Sequence, residues 1–220
     1  MMIKIKNLCF SYNNSQNYLI DNLSLTIDKE SYVSIIGANG SCKSTLIKLI
    51  LNLLTPKKGN INLDSKKIGY VPQVVESFNS SFPITVWEML NAHRTVLKIK
   101  DKKSIDEALR KVGMIEFKNS LIGNLSGGQK QKVFIARSIL ANEDILILDE
   151  PSTGIDSKSM KEIYSLIASL NKKNGVTVIS VEHNLETALQ NSTHILAMDN
   201  GSGTLYTNEE YIRRISDVSI

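Results

Sequence analysis

A chain of 220 residues with 42% hydrophobic and 22% charged positions is long enough to bury a real core, and its composition excludes disorder and fibrous repeats. The net charge of +4 is mild, the lysines are scattered, and aromatic residues make up 6% of the chain, so nothing resembles the dense basic stripe of a nucleic-acid footprint. No apolar run reaches the ~18 residues of a membrane span, residues 1–12 lack a signal-peptide core, and Cys9 and Cys42 with three histidines show no disulfide framework or zinc-ligand spacing.

The predicted elements begin with short alternating strands over residues 3–35, where Ile3, Ile5, Leu8 and Phe10 precede Leu23, Leu25 and Ile27, an antiparallel pattern. The apolar run 32–36 stops at Gly37 and passes through a glycine-containing loop into a helix expected over 45–54, ended by Pro56 and Gly59. Strand character resumes at 60–64 and 67–71. From about 85 to 140 the period changes to that of helices, with Val86, Met89 and Leu90, then Ile105, Ala108, Leu109 and Val112, then 133–140, and reads as an inserted helical subdomain. A buried strand at 145–148, a helix at 160–170, a strand at 176–181 and a helix at 185–190 follow. Strands alternating with helices predict an α/β fold around a mostly parallel sheet, with no internal repeat.

Three segments carry chemistry. The loop Gly37, Ala38, Asn39, Gly40, Ser41, Cys42, Lys43, Ser44, running into Thr45, lies between strand and helix, as a phosphate-binding loop must. Its backbone N–H groups and the helix N-terminus suit a triphosphate, Lys43 reaches the β and γ phosphates, and the Ser44 hydroxyl is a ligand for Mg²⁺. Cys42 stands where the loop pattern has glycine. A Cβ and sulfur there crowd the approach of a phosphate and add strain of about 1 kcal/mol if φ is positive. Three explanations stand side by side: a natural variant that still binds nucleotide, an inactivated copy, or an altered chain. A fourth, a redox switch, requires an exposed thiol of low pKa.

The second segment is the apolar strand 145–148 ending in Asp149 and Glu150; coupled to the loop, Asp149 is placed to hold Mg²⁺ and Glu150 to act as general base on the water that attacks the γ-phosphate. The third is Leu125, Ser126, Gly127, Gly128 and Gln129 before a helix expected to start near Lys130, a second anion cradle on the same chain.

Taken in this order, the three segments resemble the nucleotide-binding domains of ABC transporters, with 125–129 similar to the family's signature motif. The resemblance covers nearly the whole chain and implies one ATPase domain over 1–220, with a P-loop NTPase core (1–73 and 141–220) bearing an N-terminal antiparallel β subdomain and an inserted helical subdomain (74–140). It further implies that Tyr12 stacks on adenine, that Gln73 meets Mg²⁺ and the water, that Asp156 lies in the loop crossing between protomers, and that His183 contacts the γ-phosphate. By the same resemblance two ATP molecules lie between two head-to-tail protomers, each held by the phosphate loop of one chain and Ser126 to Gln129 of the other. The same resemblance implies that closure is passed through the helical insert to transmembrane permease subunits, joined in the full system by a substrate-binding protein, with the chain on the cytoplasmic face of the membrane.

Two further segments, 82–86 and 131–137, resemble those of ATPases of bacterial zinc and manganese importers. The competing expectations are a subunit that binds nucleotide with impaired hydrolysis, suggested by Cys42, and the ATPase of an importer for another substrate. A ribosome- or DNA-directed ABC ATPase is disfavoured, since such chains carry tandem units or long heptad insertions.

Overall fold

The computed structural model of the chain describes residues 1–12, 17–73 and 83–218. The chain forms two compact units, one of residues 1–66 and 171–220, the other of residues 67–170.

In the first unit, β1 (Ile3–Phe10) is the middle strand of an antiparallel sheet, flanked by β2 (Ile20–Ile27) and β4 (Lys58–Leu63). Ile3, Ile5 and Leu8 are fully buried although Leu8 comes three positions after Ile5. The strict alternation breaks because the register with β2 shifts between Ile5 and Leu8, where Asn7 takes a φ of 46° and its side-chain Nδ2 donates to Asn22 Oδ1 at 2.9 Å. This bulge turns Leu8 back to the buried face.

The parallel strands of this unit are β3 (Tyr32–Ile36), β7 (Thr177–Val181) and β8 (His194–Asp199), with β3 between the other two. All five residues of β3 and of β7 are buried, and both strands are apolar in sequence but for Ser34, Thr177 and Ser180. Strand β9 (Ser202–Thr207) pairs antiparallel with β8, and α7 (Asn208–Val218) follows it. The sequence reading gives no element after residue 190, so β8, β9 and α7 are additions. Two glycines make this packing possible. A Cβ on Gly201, in the turn between β8 and β9, would lie 1.8 Å from the Leu19 carbonyl oxygen, and one on Gly59 would lie 2.3 Å from the Lys6 and Asn7 carbonyls.

Helix α1 (Lys43–Ile50) starts earlier and stops sooner than the expected 45–54. Its apolar period continues through Leu51, Leu53 and Leu54, but Asn52 enters the left-handed region (φ 57°) and the Leu53 amide donates back to Lys48 O at 2.8 Å. Asparagine thus ends the helix where glycine commonly does, and Leu53 is left 66% exposed. Helix α6 (Leu185–Asn191) packs Ala188 against Ile36 and Ile195.

In the second unit, β5 (Ile68–Val71) runs parallel to β6 (Ile145–Asp149), with Val71 level with Leu148. The same unit holds α2 (Val86–Val96), α3 (Lys103–Lys111), α4 (Gly127–Ser138) and most of α5 (Ser157–Asn174). Helix α2 begins at a reciprocal capping box, in which Thr85 Oγ1 accepts from Glu88 N–H and Glu88 accepts from Thr85 N–H, an arrangement of about 1 kcal/mol. Val86, Leu90, Ile105 and Leu109 are fully buried, as their helical spacing predicts. The C-terminal end of α4 lies against β5: a Cβ on Gly69 would meet Ser138 O at 2.0 Å. Of the segment 82–86, Phe82 lies outside the described residues.

Candidate functional site

In the first unit the phosphate-type loop leaves the buried end of β3. Gly37 admits no side chain, since a Cβ would lie 2.3 Å from Met198 O and 2.6 Å from Ser41 Oγ. Gly40 turns with φ 84°, and Ser41 N–H donates to Ala38 O at 3.1 Å. Lys43 is 7% exposed and its ammonium donates to Gly37 O (2.7 Å) and Ala38 O (3.0 Å), so the loop's own carbonyls hold it over the turn. Ser41 Oγ is buried without a hydrogen-bond partner among the described residues, an orphan polar atom inside the loop. Asn39, Gly40 and Ser44 are exposed.

Cys42 is the N-cap of α1 and lies in the left-handed region, φ 73° and ψ 20°. The positive φ that the loop pattern anticipates is therefore present, and the cysteine carries the strain. Its thiol donates to Leu19 O at 3.3 Å, with Gly40 O at 3.6 Å. Burial pushes the thiol pKa up. That direction is opposite to the low pKa a redox switch requires.

Tyr12 and Thr45 meet: their hydroxyls are 3.2 Å apart, and the Tyr12 ring packs edge-on against Phe10 with centroids 5.0 Å apart. Tyr12 nevertheless remains 55% exposed, so the anchored ring presents a face to solvent. His183, also exposed, follows β7 at the end where β3 gives way to the loop; Ile35 is level with Val181, and Glu182 N–H donates to Ile35 O at 3.0 Å.

In the second unit, the parallel pairing of β5 and β6 carries Gln73 and Glu150 past the same end of the strands. Gln73 Nε2 donates to Glu150 Oε2 at 2.7 Å, and Thr153 Oγ1 donates to the same oxygen at 3.0 Å. Glu150 adopts φ 52°, a left-handed conformation that costs a non-glycine residue about 1 kcal/mol or more and is held here by those two donors. Asp149, 9% exposed, closes β6. Burial, and after it the Asp149 charge, raise the Tyr70 hydroxyl pKa.

Also in this unit, α4 starts at Gly127, three residues ahead of the expected Lys130. Ser126 and Gln129 form a capping box: Ser126 Oγ accepts Gln129 N–H at 3.3 Å and Gln129 Oε1 accepts Ser126 N–H at 2.9 Å. Gly128 is buried, and a Cβ there would lie 2.5 Å from Ser159 Cβ. Asp156 caps α5, its Oδ1 accepting from the Ser159 and Lys158 amides at 3.0 and 3.1 Å; chiefly the Ser159 amide and hydroxyl hold its carboxyl below the usual range.

The first unit thus joins loop, Tyr12, Thr45 and His183; the second joins Gln73 to Glu150 and carries Asp149, Ser126–Gln129 and Asp156. Thr153 and Glu182 were not singled out from the sequence. Thr153 is visible there only as a hydroxyl after the paired carboxylates, and Glu182 only as an acidic residue beside His183. Chemically, a lysine over a glycine loop suits polyphosphate, and a carboxylate held by an amide and a hydroxyl suits orientation of a water. The Ser44 hydroxyl and the Asp149 carboxylate are hard oxygen donors of the kind Mg²⁺ takes, one or two at a time, beside phosphates and water.

The sequence model of the ABC transporter family matches residues 20–153. The chain is 44% identical over 216 residues to a "Probable metal transport system ATP-binding protein" of Treponema pallidum, covering 98% of this chain and 90% of that protein. It is 37% identical to the zinc uptake system ATP-binding protein ZurA of Listeria monocytogenes, covering 90% and 82%, and 36% identical to the high-affinity zinc uptake system ATP-binding protein ZnuC of Bacillus subtilis, covering 91% and 92%. Among solved structures it resembles cbiO1 from Clostridium perfringens, part of the ABC transporter complex cbiONQ (TM-score 0.85, 26% identity, 99% and 92% covered). It also resembles a dimeric bacterial ABC transporter cassette (TM-score 0.78, 29% identity, 94% and 99% covered).

Proposed function

Because the chain belongs to the ABC transporter family, and is thus an ATP-binding ATPase, we propose that it powers import of a divalent metal ion, zinc or manganese, across a cell membrane. The observation that carries this reading is the near full-length similarity to ATP-binding subunits named for metal transport and zinc uptake. Residues 1–220 serve as one ATPase domain, with 1–73 and 141–220 as its nucleotide-binding core and 74–140 as the helical insert.

Tyr12, anchored on Thr45 with one face open, takes the adenine. The backbone of Gly37 to Thr45 cradles the phosphates, and Lys43 exchanges its two loop carbonyls for β- and γ-phosphate oxygens. Ser44 on the first unit, and Asp149 and Gln73 on the second, would each offer an oxygen donor to Mg²⁺, which would supply neutralisation of phosphate charge. Glu150 accepts a proton from the attacking water as the water oxygen bonds to the γ-phosphorus and the bond to the β-phosphate oxygen breaks. Gln73 and Thr153 hold that carboxylate oxygen in place. His183 donates to the γ-phosphate.

Ser126, Gly127, Gly128 and Gln129 close over the nucleotide of a second copy, with Asp156 on the path between protomers. The working unit is therefore a homodimer with ATP between its protomers. It sits on the cytoplasmic face of the membrane against permease subunits, and a substrate-binding protein delivers the metal. Cys42 is tolerated because its thiol is turned to Leu19 O. The test is uptake of radioactive zinc and manganese by cells whose only copy of the chain carries Glu150→Gln. Loss of uptake of one of these metals is expected; unchanged uptake of both contradicts metal import.

A further inference from the structure

Strands β3 and β7 run parallel with Tyr32 level with Val178 and Ser34 level with Ser180, so Tyr32, Ser34, Ser180 and Glu182 share one side of the pair. All four are buried, Ser34 and Ser180 completely and Glu182 to 4% exposure. A buried carboxylate is costly unless hydrogen bonds hold it. The Ser180 hydroxyl donates to Glu182 Oε1. Burial first, and then the charge of Glu182, raise the Tyr32 hydroxyl pKa, which keeps that hydroxyl neutral beside the carboxylate. Ser34 Oγ has no hydrogen-bond partner among the described residues, so the cluster has a hydroxyl in reserve.

The backbone of Glu182 makes the last rung between the two strands, its N–H donating to Ile35 O at 3.0 Å. One residue later comes His183, and two residues beyond Ile35 comes Gly37, the first residue of the phosphate loop. On the far side of His183, Asn184 caps α6 by accepting Thr187 N–H at 2.9 Å. The exposed histidine is therefore held between two fixed neighbours, one buried by its side chain and one tied to a helix.

We propose that Glu182 is a positioning residue for His183: its carboxylate, fastened under the strands by Ser180, locks the last rung and so sets the direction in which the imidazole meets the γ-phosphate. The inference rests on the reading of His183 given under Proposed function. It makes Glu182 act entirely through its neighbour, which a double-mutant cycle detects.

The experiment measures dissociation constants for ADP and for a non-hydrolysable ATP analogue, whose ratio reports recognition of the γ-phosphate. It uses the full chain, Glu182→Ala, His183→Ala, the double variant, Glu182→Gln and Ser180→Ala. One hydrogen bond to a charged group corresponds to about tenfold or more in that ratio, so His183→Ala lowers it by that order. Glu182→Ala lowers it in the same direction, and adds nothing in the His183→Ala background. Glu182→Gln retains the wild-type ratio because its amide oxygen still accepts from Ser180, and it keeps the test open should Glu182→Ala not fold; Ser180→Ala lowers the ratio. An unchanged ratio in Glu182→Ala, additive losses in the double variant, or an unchanged ratio in His183→Ala overturns the proposal. A full chain that binds neither nucleotide overturns the ATPase reading itself, an outcome distinct from the other three.

Discussion

Replacing Cys42 tests how the phosphate loop accommodates a side chain where its pattern has glycine. Cys42 sits at φ 73°, and a non-glycine residue there costs about 1–2 kcal/mol. Cys42→Gly removes that strain, yet gives back roughly 0.5–1 kcal/mol through the greater freedom of glycine in the unfolded chain. It also deletes the thiol's hydrogen bond to Leu19 O, a weak donor's contribution of about 0.5 kcal/mol. The net change lies within about 1 kcal/mol, or a shift in Tm of some 2–4 °C. Cys42→Ala keeps the Cβ and the strain while losing the thiol, and falls below wild type by about 0.5 kcal/mol or more. The expected outcome is therefore glycine within about 1 kcal/mol of cysteine, and cysteine above alanine, read from urea midpoints and thermal unfolding of the three chains. An alanine variant as stable as wild type would refute the role given to the thiol contact. A glycine variant more stable by several kcal/mol would refute the estimate of strain.

Two other outcomes follow from packing and from charge. Gly128→Ala drives a Cβ to within 2.5 Å of Ser159 Cβ and lowers stability by about 1–3 kcal/mol in denaturant titrations without nucleotide, and costs less when introduced into a Ser159→Gly chain, which lacks the Cβ it meets; a Gly128→Ala chain of undiminished stability would show that α4 and α5 give way freely. Burial raises the pKa of Glu143, which is 8% exposed, above its ordinary 4.5, against the opposing amide of Ala141. The native state then holds a proton that the unfolded chain has lost, so this residue's contribution to stability falls as pH rises from 4.5 through the raised value and levels off above it. Glu143→Gln removes that decline, measurable as urea midpoints across a pH series; equal slopes for the two chains would count against it.

The chemistry of the candidate site was legible because it is written in contiguous segments. A glycine loop between strand and helix, two carboxylates at a strand end and a serine with paired glycines before a helix each identify themselves by order and spacing. What joins them was not legible. The bond from Gln73 to Glu150 depends on β5 and β6 being parallel neighbours in one register, and the reach of Thr153 back to Glu150 depends on the left-handed turn at Glu150. Local backbone choices also overrode good periodic signals. Asn52 ended α1 inside an apolar run, and the bulge at Asn7 broke the alternation of β1. The C-terminal elements escaped for a different reason. Residues 195–198 form a four-residue apolar run that periodicity cannot assign to strand or helix, and β9 is a polar strand with Gly203 in it, held by its ladder with β8.

The most direct test of the account is phosphate release from ATP with Mg²⁺ by the purified chain, beside Glu150→Gln, with ATP binding measured on both. The account predicts that both chains bind ATP and that only the wild type releases phosphate. A wild-type chain that binds ATP without turnover, or a Glu150→Gln chain that hydrolyses as fast as wild type, would contradict it.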